Sequence, residues 1–203
     1  MILFAAVLLV ITFLFFYLMK QSKKPTGIVG RGMMKIWNRV YLPMARWSLT
    51  VFTERKAERI LDIGVGNGAS TLLLKEYFPD AQIVGIDISD AAIQAANDRA
   101  VVGVQFFVRS IEETQLKKES YDLVTAYQTH FHWEDLDKAF VEIYRVLKSD
   151  GILLIACEQA KLHYYLKDIA KTTVFADYMA RWGFELENTA ESSGWITYLL
   201  RKK

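Results

Sequence analysis

Three glycines at alternate positions, Gly64-Val65-Gly66-Asn67-Gly68, follow a short apolar run that ends Leu61-Asp62-Ile63. Residues without a Cβ let the backbone turn sharply and let a ligand approach the main chain and the first amides of the next helix. In a dinucleotide site that ligand is a pyrophosphate. Gly64 to Ala69 satisfies the loose G-x-G-x-x-G/A pattern, and Asp87 follows at the distance a ribose contact requires. Asp62 tips the reading the other way: a carboxylate two residues before the first glycine repels a pyrophosphate and attracts the ammonium of an amino-acid-like cofactor. A second group of reactive side chains lies in the segment from Tyr127 to Asp135, which contains His130-Phe131-His132-Trp133. Histidine titrates near neutrality, so His130 or His132 can serve as a general base. The plainer alternative is a loop histidine that only hydrogen-bonds locally. No Cys, Asp or Glu set with ligand spacing accompanies the two histidines, so no metal is expected.

These residues need a frame that brings the ends of several strands together. From Arg59 onward, strand-like runs at 60–63, 82–86, 104–108, 121–126 and 151–157 alternate with helical runs at 70–77, 91–99 and 136–147. Such alternation builds a parallel sheet covered on both faces, with its crevice outside the carboxyl ends of the strands. A helix over 174–182, stopped by Gly183, precedes runs at 184–190 and 195–200 that read as an antiparallel hairpin turning at Ser192-Ser193-Gly194. The expected fold class is α/β, a doubly wound and mostly parallel seven-stranded sheet with a C-terminal antiparallel hairpin.

A chain of 203 residues suits one ordinary domain plus a small appendage. Its formal charge of +2 gives no basic field for non-specific binding, and no nucleic-acid partner is expected. The single cysteine, Cys157, sits in an apolar run and reads as an inert core thiol. From Ile2 to Met19 every residue but Thr12 is apolar or aromatic. As a helix this stretch spans roughly 27 Å, close to a hydrocarbon core of about 30 Å. No basic residue precedes it and no small-residue cleavage site follows, so a permanent transmembrane helix is expected rather than a cleaved signal. Lys20, Lys23, Lys24, Arg31 and Lys35 all follow it, which puts the N-terminus outside and the rest of the chain in the cytoplasm. The expected organisation is a membrane anchor and basic flank over 1–24, a helical connector over 25–58, and the α/β domain over 59–203. In the connector Met33, Trp37, Val40, Met44, Trp47 and Val51 share one helical face, and Pro43 predicts an end or a kink near Leu42. Its mixture of Arg, Lys, Trp and Met suits a lipid headgroup boundary or a cap packed on the domain.

Taken in order, the segment 60–68, then Ile83-Val-Gly-Ile-Asp87-Ile-Ser89, then 121–126, then Glu142-Ile-Tyr-Arg-Val-Leu-Lys-Ser-Asp-Gly151 and the apolar run to Ile155 resemble the successive motifs of class I S-adenosylmethionine-dependent methyltransferases. The resemblance covers 59–158 well and the final hairpin loosely. The connector, with Gly30-Arg31-Gly32-Met33, Trp37-Asn38 and Pro43-Met44-Ala45-Arg46-Trp47, is similar to a subset of small methyltransferases that carry such a segment. The resemblance implies a Rossmann-like methyltransferase fold and S-adenosyl-L-methionine as cofactor. It implies that Gly64, Gly66 and Gly68 pass beneath the methionine part, that Asp62 lies near its amino group and that Asp87 accepts from both ribose hydroxyls. Ser110 and Ile111 stand near the adenine, where the family often has an Asp, and Tyr127 joins the cofactor-binding residues at the end of the fourth strand. Asp150-Gly151 replaces the usual Gly-Gly. Methyl transfer is an in-line displacement, so alignment suffices for a good nucleophile while a hydroxyl or carbon acceptor benefits from a base. The acceptor is expected to be a small molecule or a lipid-like compound at the cytoplasmic membrane face. His163, beside Tyr164 and Tyr165, lines the acceptor pocket or packs against it. A nicotinamide-dependent reductase and a non-catalytic binding module are the alternatives.

Overall fold

The structure, a computed structural model, describes residues 2–24, 26–52 and 56–203, apart from the side chains at 2, 3, 5, 6, 15, 22, 23, 28 and 31. Pro25, where the expected connector begins, and the side chains of Lys23 and Arg31 in the basic flank lie outside the described residues. Two helices, α1 (Ile2–Lys23) and α2 (Gly27–Val51), lead into β1 (Arg59–Ile63), α3 (Ala69–Tyr77), β2 (Gln82–Asp87), α4 (Asp90–Asn97) and β3 (Val104–Val108). The chain continues through β4 (Tyr121–Tyr127), α5 (Leu136–Val146), β5 (Leu147–Glu158), α6 (Gln159–Tyr165), α7 (Thr172–Ala180), β6 (Phe184–Ser192) and β7 (Trp195–Lys202). The strands form one seven-stranded sheet in the order β3-β2-β1-β4-β5-β7-β6. Pairing is parallel from β3 to β5, while β7 runs antiparallel to both β5 and β6. The doubly wound sheet and its terminal hairpin are therefore as expected.

Successive strand residues point to opposite faces, and here both faces are covered. Ile60, Leu123, Ile152 and Leu154 pack with Met44 and Leu49 of α2, Leu74 of α3 and Ile93 of α4. Leu61, Val124, Leu153 and Ile155 face the other layer, where Phe140 and Ile143 of α5, Phe175 of α7 and Tyr198 of β7 are buried. Two-sided burial is why these strands read as continuous apolar runs. Polar caps start the helices that follow. The Ser89 hydroxyl accepts from the Ala92 amide at 3.2 Å and the Asp135 carboxylate from the Lys138 amide at 3.0 Å.

The connector departs from expectation at Pro43, which lies inside an unbroken α2. A proline in a helix interior costs about 3 kcal/mol. Met44, Leu49 and, just past the helix, Phe52 are buried in the layer shared with α3 and α4, and their burial offsets that cost. The connector is thus a cap packed on the domain.

The expected membrane-spanning anchor is corrected. Among the described residues no helix is long and apolar enough to cross a membrane. The single-pass topology, with its outer N-terminus and cytoplasmic catalytic domain, rested on that span and falls with it.

Close packing also dictates Gly85 in the middle of β2. A Cβ added there would lie 2.6 Å from the Phe106 ring and 2.9 Å from Val65. Gly85→Ala should therefore destabilise the domain by about 1–3 kcal/mol in urea unfolding, and Phe106→Leu should restore part of the loss in the double variant. Additive effects of the two substitutions would contradict this packing.

Candidate active site

The strand order reverses between β1 and β4, and there a cavity of about 570 Å³ opens beyond the carboxyl ends of the strands. Gly64 and Gly66 form its floor after β1, with Asp87 after β2, Ser110 and Ile111 after β3, and Tyr127, Gln128 and Thr129 at the end of β4. Trp37, Asn38 and Tyr41 of α2 and Lys161 and Tyr165 of α6 complete the wall.

The Gly-rich turn is held by hydrogen bonds to β2. The amides of Gly64 and Val65 donate to the Ile86 carbonyl at 2.8 and 3.2 Å, and the Gly66 amide donates to Asp87 Oδ2 at 2.9 Å. Gly64 has φ +71°, and a Cβ there would sit 2.3 Å from Thr129 Oγ1, so glycine is what lets the loop after β4 close onto the turn. Gly68, with φ +78°, is set against Phe106 and Ala96 and does not line the cavity. Its place is in helix-to-strand packing.

Asp87 also accepts from the Ser89 amide through Oδ1 at 2.9 Å. Burial raises its proton affinity above the ordinary carboxylate value, against the pull of these backbone amides. Asp62 is fully buried and stands behind the cavity wall. Its oxygens accept from Thr125 at 2.8 Å, Ser70 at 2.9 Å and Thr71 at 2.7 Å, and of these donors Ser70 lines the cavity. Burial pushes the Asp62 carboxyl from 3.8 up to about 6, although the three hydroxyls work in the opposite direction. The Tyr127 ring is buried and lines the cavity, and burial raises the proton affinity of its hydroxyl strongly. Ser110 bonds the Glu112 carboxylate, and Glu112 brings an acid to the cavity wall two residues beyond the position where the family often has an Asp.

The two histidines are separated by the short 3-10 turn that carries them. His130 is wholly buried off the cavity, its ring 5.2 Å from Phe131 and 6.2 Å from Trp133. Burial, with the neighbouring His132, pushes it down to about 3, so it stays neutral. His132 lines the cavity, edge-on to Phe131 at 4.6 Å and to Tyr165 at 5.2 Å. His163 is exposed and bonds the Gln159 carbonyl at 2.8 Å, outside the cavity. Among the described residues no three His, Cys, Asp or Glu side chains gather as a metal set.

Contacts from the cap went unforeseen in the sequence. Asn38 Nδ2 donates to Asn67 Oδ1 at 3.0 Å, tying α2 to the Gly-rich turn. Lys161 Nζ lies 2.5 Å from the Tyr41 hydroxyl and 3.2 Å from Glu158 Oε2. Burial works against the Lys161 ammonium, but the Tyr41 oxygen and the Glu158 carboxylate outweigh it and hold its proton affinity above the ordinary value.

Asp62 makes stability depend on pH. Its folded proton affinity exceeds that of the unfolded chain, so its contribution is complete below about pH 4 and is lost as pH rises towards 6. Asp62→Asn should gain stability relative to the parent across that window, by up to roughly 3 kcal/mol in urea unfolding at a series of pH values. Parallel pH profiles for the two proteins would contradict the buried, raised carboxyl.

Comparison with known proteins agrees with the topology. Residues 61–155 match the family described as Methyltransferase domain. A malonyl-[acyl-carrier protein] O-methyltransferase of Acetivibrio thermocellus is 41% identical over 95 residues, 46% of this chain and 33% of that protein. The chain spans between about a third and three-fifths of the length of the curated relatives it matches. A Haloferax volcanii methyltransferase in complex with its Trm112 activator superposes with a TM-score of 0.73 at 15% identity, covering 84% of this chain and 93% of that one. A Haemonchus contortus phosphoethanolamine N-methyltransferase holding S-adenosylhomocysteine gives 0.64 at 20% identity, over 78% of this chain and 52% of that one. The strand order of the sheet, the ordered motifs and the matched methyltransferase domain over residues 61–155 agree with the fold of class I S-adenosylmethionine-dependent methyltransferases.

Proposed function

We propose that the protein transfers a methyl group from S-adenosylmethionine to a small-molecule acceptor in the cavity between β1 and β4. The observation that supports this most is the Asp87 carboxylate at the cavity wall. Oδ2 accepts the Gly66 amide and Oδ1 the Ser89 amide, and the carboxylate keeps acceptor capacity at the cavity wall, which suits ribose hydroxyls. Around it the cavity fits the rest of such a cofactor. The turn at Gly66 leaves room against the main chain, Ser110 and Ile111 offer a place for the adenine, and Ser70 relays the buried charge of Asp62 towards a cationic amino-acid part. When bound, S-adenosylmethionine supplies an electrophilic methyl group on a positively charged sulfur.

This chain's own residues bind, orient and exclude water. Asp87 and the main-chain surface of the turn fix one partner, while Trp37 and Tyr41 of α2 cover the cavity. His132 is the histidine placed to meet an acceptor. His130, neutral and off the cavity, has no route to one. The names of the relatives point to acceptors that carry a carboxylate, which needs no base.

Calorimetric titration of the full chain with S-adenosylhomocysteine and with NADH tests the reading. The wild type should bind S-adenosylhomocysteine and not NADH. Asp87→Ala should weaken that binding on the order of 10- to 1000-fold, because charge-assisted hydrogen bonds contribute about 1.5–3 kcal/mol each. Binding of NADH alone would point to a reductase, and silence towards both to a module without this cofactor.

A further inference from the structure

The corner between α1 and α2 is built around one buried side chain. Gln21, near the end of α1, accepts from the Thr26 amide through Oε1 at 2.8 Å. Its Nε2 donates to the Thr26 hydroxyl at 2.8 Å and to the Tyr17 hydroxyl at 3.1 Å. A carboxamide satisfied from both sides of the corner holds the end of α1 to the start of α2, because opening the corner would strand its buried polar atoms. Beyond the corner α2 lies against the Gly-rich turn. Met34 is buried with its Sδ 3.8 Å from the place a Gly66 Cβ would take, and Asn38 bonds Asn67. The Gly66 amide in turn donates to Asp87, so a continuous series of contacts runs from α2 to the end of β2.

Lys24 stands in that corner, Met19 stands near the end of α1, and both line the cavity, whose wall also contains Asp87 and Ile88. Lys24 is exposed, so it borders the cavity where the wall meets solvent. Its ammonium acts on Asp87 through charge, favouring the carboxylate over its protonated form against the cost of burial. The other lysine and arginine of the wall are engaged elsewhere. Arg109 donates to the Thr114 carbonyl at 2.5 Å and lies over the Phe107 ring, while Lys161 is held by Tyr41 and Glu158. Asp87 thus meets a like charge from Asp62 behind the wall and an opposite one from Lys24 at its rim.

We propose that Lys24 is a positioning residue for the cofactor: its positive charge offsets the buried negative charge of Asp87 and preserves that carboxylate as a charged acceptor for the ribose hydroxyls. The end of α1 and its corner, which the sequence assigns to an anchor and its basic flank, are then part of the cofactor site. The inference rests on the methyltransferase reading and deepens it by adding a residue from outside the matched domain.

The test uses the full chain and two nucleosides, adenosine and dideoxyadenosine, which lacks both vicinal ribose hydroxyls, each titrated by displacement of S-adenosylhomocysteine in a calorimeter. The wild type should prefer adenosine, whose hydroxyls reach Asp87. Lys24→Gln should weaken adenosine and S-adenosylhomocysteine about 3- to 10-fold and leave dideoxyadenosine unchanged. Lys24→Arg keeps the charge and should retain the wild-type affinities. Lys20→Gln, one turn earlier on α1 and outside the cavity wall, should alter none of them. Equal weakening of both nucleosides, unchanged affinities in Lys24→Gln, no rescue by Lys24→Arg, or the same selective loss in Lys20→Gln would each overturn the proposal. Failure of S-adenosylhomocysteine to bind the wild type would instead remove the methyltransferase reading, and this inference with it.

Discussion

Asp87 joins the end of β2 to the turn that leaves β1, and the geometry of the cavity depends on that link. One carboxylate accepts from Gly66 on the turn and from Ser89 at the head of α4, so a single side chain fixes two neighbouring segments. Asp62 lies behind the same turn, and the charge on Asp87 helps to raise its proton affinity, after burial. Two buried carboxylates so close together are tolerated because each is met by donors, three hydroxyls for Asp62 and backbone amides for Asp87. A ligand that carries positive charge relieves what remains. S-adenosylmethionine carries an ammonium and a sulfonium, whereas a dinucleotide's pyrophosphate adds to the repulsion.

The second constraint comes from α2. Its C-terminal part is rooted in the core through Met44, Ala45 and Leu49, and its earlier turns reach over the cavity with Trp37, Asn38 and Tyr41. A helix that broke at Pro43 would separate root from roof. The polar contacts of the roof are few, Asn38 with Asn67 and Tyr41 with Lys161 and Glu158, and each ends on a residue beside the cavity. The cap is thereby tied both to the Gly-rich turn and to the start of α6.

The sheet was legible because two-sided burial leaves long apolar runs, and the Gly64–Gly68 turn with Asp87 was legible because its geometry demands a fixed spacing. Other features lie beyond any local pattern. Tyr41, Gln128 and Lys161 meet only through the fold, and nothing in their sequence neighbourhoods links them. His130 and His132 look equivalent in sequence, yet one turn of backbone buries the first and brings the second to the cavity. Asp62 is drawn to Ser70, Thr71 and Thr125, a cluster drawn from two elements, so its carboxylate stands behind the wall. Pro43 was weighed by its local cost, which burial elsewhere in α2 outweighs. The apolar N-terminal segment suggested a bilayer by composition, but the described residues give no helix long and apolar enough to cross one.

The most direct test of the central claim is a crystal structure of the full chain with S-adenosylhomocysteine. The ligand should lie in the cavity between β1 and β4, with its ribose oxygens within hydrogen-bond distance of Asp87 and its amino-acid part over Gly64 and Gly66. Density elsewhere, or a ribose turned away from Asp87, would contradict the account.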